Sequence, residues 1–317
     1  MSQGVPGTPP AQVLQDAIGD AASSAASFGY APGDGEPLMK KALAEEMKVI
    51  YGSGADVTPD DIALTTGSNM AFMATIMTLA GTGDEVILPT GATYSPALIA
   101  SFLELATKHD IALIVDETYR DFILTGAPHS IFSGAWRSNF IHLFSFSKSY
   151  CLPGHRLGAI AGSPLFLTHV RTVLDCLQIC APRPFQIALT PLLPTLRPAI
   201  RKNAIAIQAR HELFRRVLPS PWKIGAQGGY FAYVKHPFRG VTAFEVSKRL
   251  AIELGVITLP SAFFGEDGKG GGDQAESDKT RWIRFSVANV DDEKVVQICE
   301  RLGEAESLFQ EWNVDNN

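Results

Sequence analysis

The lysine at position 148 stands where an amine could do chemistry. It comes just after Phe140–Ser145, a segment typical of a buried strand, and Arg156 follows in the same stretch. An amine at the end of a buried strand is poorly placed for a surface role. Partial burial makes it a candidate for Schiff-base formation with an aldehyde. Since most lysines are simply solvated, this interpretation depends on the neighbouring segments.

Two further segments place polar groups at the ends of predicted strands. Residues 65–69 (Thr-Thr-Gly-Ser-Asn) join a strand to a helix, where backbone N–H groups and the helix dipole favour an anion. Residues 111–119 are an apolar strand that ends in Asp116, Glu117 and Tyr119. Taken alone, a well-capped helix and a solvated strand end are the simpler interpretations of these two segments.

Taken together, the three segments supply a phosphate cradle, an acid for a protonated ring nitrogen, a phenol and an amine. These are the groups that pyridoxal 5'-phosphate needs. Because parallel sheets bind ligands beyond the carboxyl ends of their strands, we expect Asp116 and Lys148 to open into one crevice. The residues expected around that crevice are Ser68, Tyr119, Ser145 and Arg156.

The elements that must position these residues alternate between strand and helix through the first half of the chain. This alternation predicts an α/β fold whose large domain has three layers and a mostly parallel sheet. Strands are predicted at 61–66, 85–88, 111–115, 140–145 and 157–161, and helices at 11–26, 38–51, 68–80 and 95–109. The helix over 68–80 is expected to have Ser68 as its cap.

The second half changes character and predicts a smaller α+β domain. A long helix with prolines is predicted over 185–218, helices over 242–254 and from 291, strands over 229–235, 256–259 and 281–288, and a loop over 265–279. The expected domains are 30–184 for the cofactor and 185–317 for the smaller one, with 1–29 packing with the smaller domain.

Composition and charge exclude several classes of function. The formal net charge is −6, from 27 basic and 33 acidic side chains, and no basic run occurs. Nucleic acid and acidic membranes are therefore not expected partners. No apolar run is long enough to cross a bilayer, no secretory signal is visible, and the histidines lack metal-ligand spacing. We expect a cytoplasmic protein without a metal site.

The sequence resembles the fold-type-I aminotransferases of class I/II, the family that includes aspartate aminotransferase. The matching segments are 66–71, 116–119, 145–158 and 284–288, in the family's order and spacing. The resemblance spans nearly the whole chain. It implies pyridoxal 5'-phosphate as cofactor, an amino acid and a 2-oxo acid as substrates, and a homodimer.

The resemblance also implies a role for individual residues. Lys148 would carry the internal aldimine, Asp116 would hold the pyridine nitrogen, and Tyr119 would donate to the phenolic oxygen. Arg284 would pair with the substrate α-carboxylate, and Tyr30 would reach the phosphate of the neighbouring subunit. The implied phosphate ligands are Gly67, Ser68, Asn69, Ser145 and Arg156.

One stretch departs from the family pattern. In the family, an aromatic that stacks on the pyridine ring, a helix, two strands and an Asn-Pro-x-Gly motif follow the strand that matches Glu85–Leu88. Here Leu88 stands at the asparagine position and the next helix follows directly, so roughly 30 residues or more are missing. The abrupt junction favours a skipped coding segment over a natural shortening. Either origin predicts an uncovered sheet and weak turnover.

Three functional hypotheses follow from these residues. The first is an aminotransferase that acts through the lysine aldimine. The second keeps the cofactor but changes the reaction to C–S elimination or to cyclisation, as in aminocyclopropane carboxylate synthase, since those relatives share the same residues. The third is a catalytically impaired, shortened homologue, which the missing stretch suggests.

Overall fold

The computed structural model describes residues 1–85, 93–264, 278–312 and 314. The described residues form two compact units, which we call the first and second units. The first contains residues 9–85 and 94–204, and the second contains 1–8, 93, 205–264, 278–312 and 314. The domain bounds expected from the sequence stay a prediction.

Helices flank the strands of the first unit. Its helices are α1 Gln12–Ser23, α2 Pro37–Tyr51, α3 Ser68–Leu79, α4 Pro96–Lys108, α5 Phe146–Ser149, α6 Pro164–Leu177, α7 Arg183–Leu189 and the start of α8 Leu193–Val217. Its strands are β1 Ile62–Thr65, β2 Leu113–Asp116, β3 Phe140–Ser145 and β4 Gly158–Ala161. The local sequence explains where α4 begins. The Ser95 side chain accepts the N–H of Leu98 there, and Pro96 fits the first turn of a helix.

The sheet of the first unit has the strand order β1-β4-β3-β2. Only β2 and β3 are paired in parallel; β4 runs antiparallel to both of its neighbours. The prediction of a mostly parallel sheet is therefore wrong for the strand pairs described. The reason is the connection from β3 to β4, whose only α-helix is the four-residue α5, too short to carry the chain back along the sheet for a parallel crossover.

Helices cover both faces of this sheet, as a three-layer domain requires. Met39, Leu43 and Met47 of α2 pack on one face, together with Phe140 and Phe144 of β3. On the other face Ile141 and Leu143 of β3 meet core residues of α3 and α6, which include Ala71, Ala74, Leu167 and Val170. Strand β3 therefore lies in the middle of the core.

The second unit is an antiparallel sheet with helices. Its strands are β5 Lys223–Gly228, β6 Phe231–Lys235, β7 Leu259–Pro260 and β8 Trp282–Ser286, in the order β5-β6-β8-β7. The remaining helices are α9 Ala243–Leu254 and α10 Asp292–Leu308. Thr242 and Glu245 form a capping box at α9, and Asp291 caps α10 through the N–H of Lys294.

Several local predictions are corrected. Gly67, rather than Ser68, is the N-cap of α3. The long helix predicted over 185–218 is divided into α7 and α8 around 190–192, while Pro198 lies inside α8. Apart from Glu85, the strand predicted over 85–88 lies outside the described residues, as do 89–91 and most of the loop predicted over 265–279. Among the described residues, no helix is both long and apolar enough to cross a bilayer.

Candidate functional site

The predicted site residues of the first unit meet at one edge of its sheet. Gly158 of β4 is paired with Thr65, the last residue of β1, and with Ser145, the last residue of β3. The parallel pair aligns Asp116, the last residue of β2, with Leu143 of β3. The carboxyl ends of β1, β2 and β3 are thus neighbours, as expected for a ligand-binding edge.

The turn between β1 and α3 is built for close approach of a cation. Gly67 has φ +86°, and a Cβ there would lie 2.3 Å from Nη2 of Arg156. Arg156 itself has φ +49° and donates from Nη1 to the carbonyl of Pro153 at 3.0 Å. The guanidinium therefore covers the Gly67 backbone at the N-terminus of α3, where the helix dipole is positive.

A second glycine brings β4 against the same turn. A Cβ on Gly158 would lie 2.6 Å from the carbonyl carbon of Gly67 and 2.8 Å from the backbone nitrogen of Ser68. Gln178 fixes the turn from α6, since its Oε1 accepts the N–H of Thr66 at 2.8 Å and its Nε2 donates to the Leu64 carbonyl at 3.1 Å. We call Gly67, Ser68, Arg156 and Gly158 the anion cradle. Asn69, also predicted here, is exposed in the first turn of α3.

Strand β3 leads directly into the segment that carries the predicted lysine. Ser145 is buried and accepts the N–H of Ser147 at 3.2 Å, which caps the short helix α5. Lys148 follows within α5 and is half-buried. A half-buried amine one turn beyond a buried strand is the placement that the sequence predicted.

Asp116 is exposed at the end of β2, and Thr118 orients its carboxylate. Thr118 donates to Asp116 Oδ1 twice, from its backbone N–H at 3.0 Å and from its hydroxyl at 2.7 Å. Partners in register share a face and side chains alternate along a strand, so Asp116 lies on the face of Leu143 and Ser145. Tyr119 follows and is half-buried. That Asp116 and Lys148 share one crevice stays a prediction.

The residue between these two, Glu117, is buried in a polar cluster that the sequence did not reveal. Its Oε2 accepts the hydroxyl of Tyr51 and lies 3.1 Å from Nε2 of His142, while Oε1 lies 3.5 Å from Nε2 of His129. Burial raises the pKa of Glu117, but hydrogen bonds and charge from His142, with smaller contributions from His129 and Tyr51, lower it overall to about 2. Burial also lowers the pKa of His129 to about 4. We call Tyr51, Glu117, His129 and His142 the carboxylate cluster.

Two further predicted residues belong to other segments of the described chain. Arg284 is in β8 of the second unit, with its guanidinium 4.1 Å from the ring of Phe231 and 4.3 Å from that of Phe264. Its Nη2 donates to the Ser2 carbonyl at 3.3 Å. Tyr30 is 78% exposed in the first unit and so is accessible to another chain. Their predicted roles stay predictions.

Among the described residues, no group of three or more histidine, cysteine or acidic side chains is arranged to hold a metal ion.

The amino-acid sequence of this chain is similar to those of known proteins. A sequence model of the family described as aminotransferase class I and II matches residues 88–302. A probable aspartate aminotransferase of Methanocaldococcus jannaschii is 24% identical over 340 residues, covering 89% of this chain and 85% of the relative. An aromatic aminotransferase of Arabidopsis thaliana is 22% identical over 332 residues, covering 84% of this chain and 82% of the relative.

The solved structures agree on the fold. An aromatic aminotransferase from Pyrococcus horikoshii superposes with a TM-score of 0.84 at 18% identity, covering 98% of this chain and 95% of that one. Length differs, however. The 340 aligned positions of the archaeal relative exceed the 317 residues of this chain, so that relative has residues with no counterpart here.

Proposed function

Because this chain belongs to the aminotransferase class I and II family, we propose that it uses pyridoxal 5'-phosphate to transfer the amino group of an amino acid to a 2-oxo acid. The observation that carries the proposal is the anion cradle, which lies at the sheet edge where Asp116 and Ser145 also end their strands. The relatives are named for aspartate and for aromatic substrates, so the amino donor is left open.

The anion cradle fits a phosphate group. Gly67 and Gly158 leave no space for a side chain between the β1–α3 turn, Arg156 and β4, while Ser68 is half-buried and Asn69 exposed in the first turn of α3. A guanidinium beside a helix N-terminus combines two attractions for a phosphate dianion. Ser68, Asn69 and the hydroxyl of Ser145 would add hydrogen bonds. The residues present therefore fit the phosphate end of the cofactor.

The other residues of this edge would orient the ring and hold protons. The Asp116 carboxylate would accept the proton of the pyridine nitrogen, while Thr118 keeps that carboxylate in place through Oδ1. The Tyr119 hydroxyl would donate to the phenolic oxygen. When bound, the cofactor supplies an electron sink for the bond broken at the substrate Cα.

Lys148 would act both as the anchor of the cofactor and as the base. Its amine would hold the cofactor at its aldehyde carbon, and its Nζ would move the proton at the substrate Cα. Half-burial in α5 suits this role because it limits hydration of the amine.

Arg284 and Tyr30 would complete the site at the substrate and at the partner chain. The Arg284 guanidinium carbon lies 4.1 Å from the ring centre of Phe231 and 4.3 Å from that of Phe264. A planar guanidinium suits a bidentate contact with the α-carboxylate of an amino acid. Tyr30 would reach the phosphate bound by a second copy in a homodimer.

Turnover by this chain is expected to be weak. The missing stretch removes the aromatic and the asparagine that the family places against the ring, and Leu88 cannot replace the lost hydrogen bond. A misplacement of about 1 Å at a preorganised site can lower a rate about 100-fold. Restoring a homologous segment should therefore raise the rate, and an unchanged rate would contradict this explanation.

The test of the proposal is covalent labelling. The chain is incubated with pyridoxal 5'-phosphate, reduced with borohydride and mapped by peptide mass spectrometry. We expect the label on Lys148, its loss in Lys148→Ala, and its retention in the control Lys202→Ala, which changes an exposed lysine of α8. No label, or a label on another lysine, would overturn the proposal. Assays for the 2-oxo acid, for ammonia and for a cyclised product would then separate transamination from elimination and cyclisation.

A further inference from the structure

The end of β2 sends two consecutive acidic side chains to opposite faces of the sheet. Leu113 and Val115 pack with the core on the α2 face, and Ile114 packs with the core on the α3 face. By this alternation Asp116 lies on the α3 face and Glu117 on the α2 face. The Glu117 N–H also donates to the Leu143 carbonyl at 2.9 Å, which continues the pairing one residue past β2. Whatever holds Glu117 therefore holds the backbone that carries Asp116.

The carboxylate of Glu117 is held from three separate parts of the first unit. Tyr51 at the end of α2 and His142 in the middle of β3 both contact Oε2, and Tyr51 Oη lies 3.0 Å from His142 Nε2. The third contact comes from His129. Its Nδ1 accepts the N–H of Ile131 at 3.2 Å, so in the neutral ring the proton is on Nε2, facing Glu117. Two hydrogen-bonding partners and a histidine 3.5 Å away, from three parts of the first unit, restrict the position of this side chain.

A second buried contact holds the backbone just after Tyr119. Asp121 is buried and its Oδ1 accepts from Arg197 Nη1 at 2.6 Å, while the same nitrogen lies 3.1 Å from Oε1 of Glu46 in α2. Arg120, also buried, lies 3.7 Å from the Phe144 ring centre. Charged side chains therefore point inward on both sides of Tyr119.

Burying three charged residues in one short segment needs a reason. A buried ion pair gains little stability over well-packed apolar side chains, and its best attested use is to fix one arrangement. Here the arrangement fixed is that of Asp116 and Tyr119, the two residues of the segment that remain accessible.

We propose that Glu117 is a positioning residue, which fixes the end of β2 and so aims the Asp116 carboxylate at the ring nitrogen of the cofactor. The inference rests on the proposed function. It adds that the carboxylate cluster, on the opposite face of the sheet from Asp116, sets the affinity and electronic state of the group that Asp116 would hold.

The experiment compares two buried carboxylates. Glu117→Gln keeps the shape of the side chain and removes its charge. Asp61→Asn is the control, because Asp61 is equally buried and bound by Arg137 at 2.7 Å, yet it precedes β1 at the opposite end of the sheet. For each variant the dissociation constant of pyridoxal 5'-phosphate, the visible absorption and circular dichroism of the bound cofactor, and amide exchange over residues 117–120 of the cofactor-free chain are measured.

We expect Glu117→Gln to weaken cofactor binding about tenfold or more, as loss of a hydrogen bond to a charged group does, and to change the visible spectrum. Its amides at 117–120 should exchange about tenfold faster. Asp61→Asn should lower thermal stability but leave the dissociation constant within about twofold, because distant sites act independently. Tyr51→Phe, which removes a single donor and keeps the ring, should shift affinity and spectrum in the same direction by less.

Two results would overturn the inference. One is that Glu117→Gln lowers stability as Asp61→Asn does but leaves affinity, spectrum and exchange unchanged. The other is that both variants change the spectrum equally, which would make the effect one of general loosening. If the unaltered chain takes up no cofactor, the proposed function fails instead. Amide exchange then still decides whether Glu117 fixes the end of β2.

Discussion

Strands β2 and β3 are neighbours in one sheet, are similarly apolar, and each delivers a residue to the proposed site. They differ in how the fold covers them. All six residues of β3 are buried, whereas Leu113, Ile114 and Val115 of β2 are half-buried and Asp116 is exposed. Strand β3 has a paired strand on each side; β2 is last in the strand order of the described residues. The burial of these two strands therefore depends more on their position in the sheet than on their sequence.

Among the described residues, no strand is paired with the outer side of β2. Apolar side chains near it are also open to solvent, including Leu98, Leu105 and Ile111 at 41%, 52% and 55% exposure. Each apolar side chain left in water forfeits about 1.5–3 kcal/mol relative to full burial. The comparison therefore separates a rigid half of the site, on β3, from a half on β2 that depends on other anchors such as Glu117.

The largest effect expected from this comparison is on stability. Leu143→Ala in β3 removes a fully buried side chain and should lower the free energy of unfolding by about 2–5 kcal/mol. The same substitution in β2, Leu113→Ala, should cost no more than about half as much, because that leucine is already partly exposed. Urea denaturation of both variants measures the difference. Equal losses would show that β2 is fully covered in solution.

The next prediction concerns the carboxylate cluster, which joins the two strands. His129 has a folded pKa of about 4 against an ordinary 6.5, so the unfolded chain binds more protons in this window. The free energy of unfolding should fall as pH drops from about 6.5 to 4, by up to about 3 kcal/mol from this residue. Glu117, with its pKa lowered to about 2, should continue the fall below pH 4.5.

The measurement is the slope of unfolding free energy against pH. His129→Phe keeps an aromatic ring beside Tyr51 and should flatten the slope between pH 6.5 and 4 by about one proton. His169→Gln, on the exposed face of α6, is the control and should leave the slope as it is. An unaltered slope in His129→Phe would mean that another group causes the acid sensitivity.

The smallest effect is expected at the start of the β2 segment. Ile111→Thr replaces a side chain that is 55% exposed and should change the free energy of unfolding by no more than about 0.5 kcal/mol. It should also reduce aggregation, because it removes an exposed apolar group beside β2, the last strand in the order of the described residues. Light scattering during storage measures the second effect. A loss above about 1 kcal/mol would show that a neighbour covers Ile111 in solution.

Much of the fold was predictable because its signals are local. The bounds of β3 are as predicted, since an apolar run followed by Ser145 and Lys148 marks a strand and its end. The predicted starts of α4, α9 and α10 agree to within a residue, because Ser95, Thr242 and Asp291 are strong N-caps. Strand direction is not a local signal, which is why the sequence predicts a mostly parallel sheet although β4 is antiparallel to its neighbours. Strand β5 was missed because its only apolar residues are Ile224 and Ala226, and the glycines at 225 and 228 weaken the strand signal.

The site was predictable in part for a similar reason. Residues that would touch the cofactor stand in recognisable motifs, and the structure brings Gly67, Ser68, Ser145 and Arg156 to one edge. Glu117 was interpreted as part of a solvated strand end. Its burial depends on partners 25 and 66 residues away, His142 and Tyr51. A histidine in the centre of an otherwise apolar strand was the available signal that a polar group lies opposite it.

The anion cradle has a practical consequence for anyone who surveys this chain by mutation. Two of its four residues, Gly67 and Gly158, have no side chain, and an alanine scan would normally skip both. At Gly67 alanine is an enlargement, and its single added carbon would occupy the space of the Arg156 guanidinium. A tolerance map that ranks substitutions by chemical similarity would score that change as mild. A map built from backbone angles would score it as unfavourable, because φ +86° strains any residue that carries a Cβ.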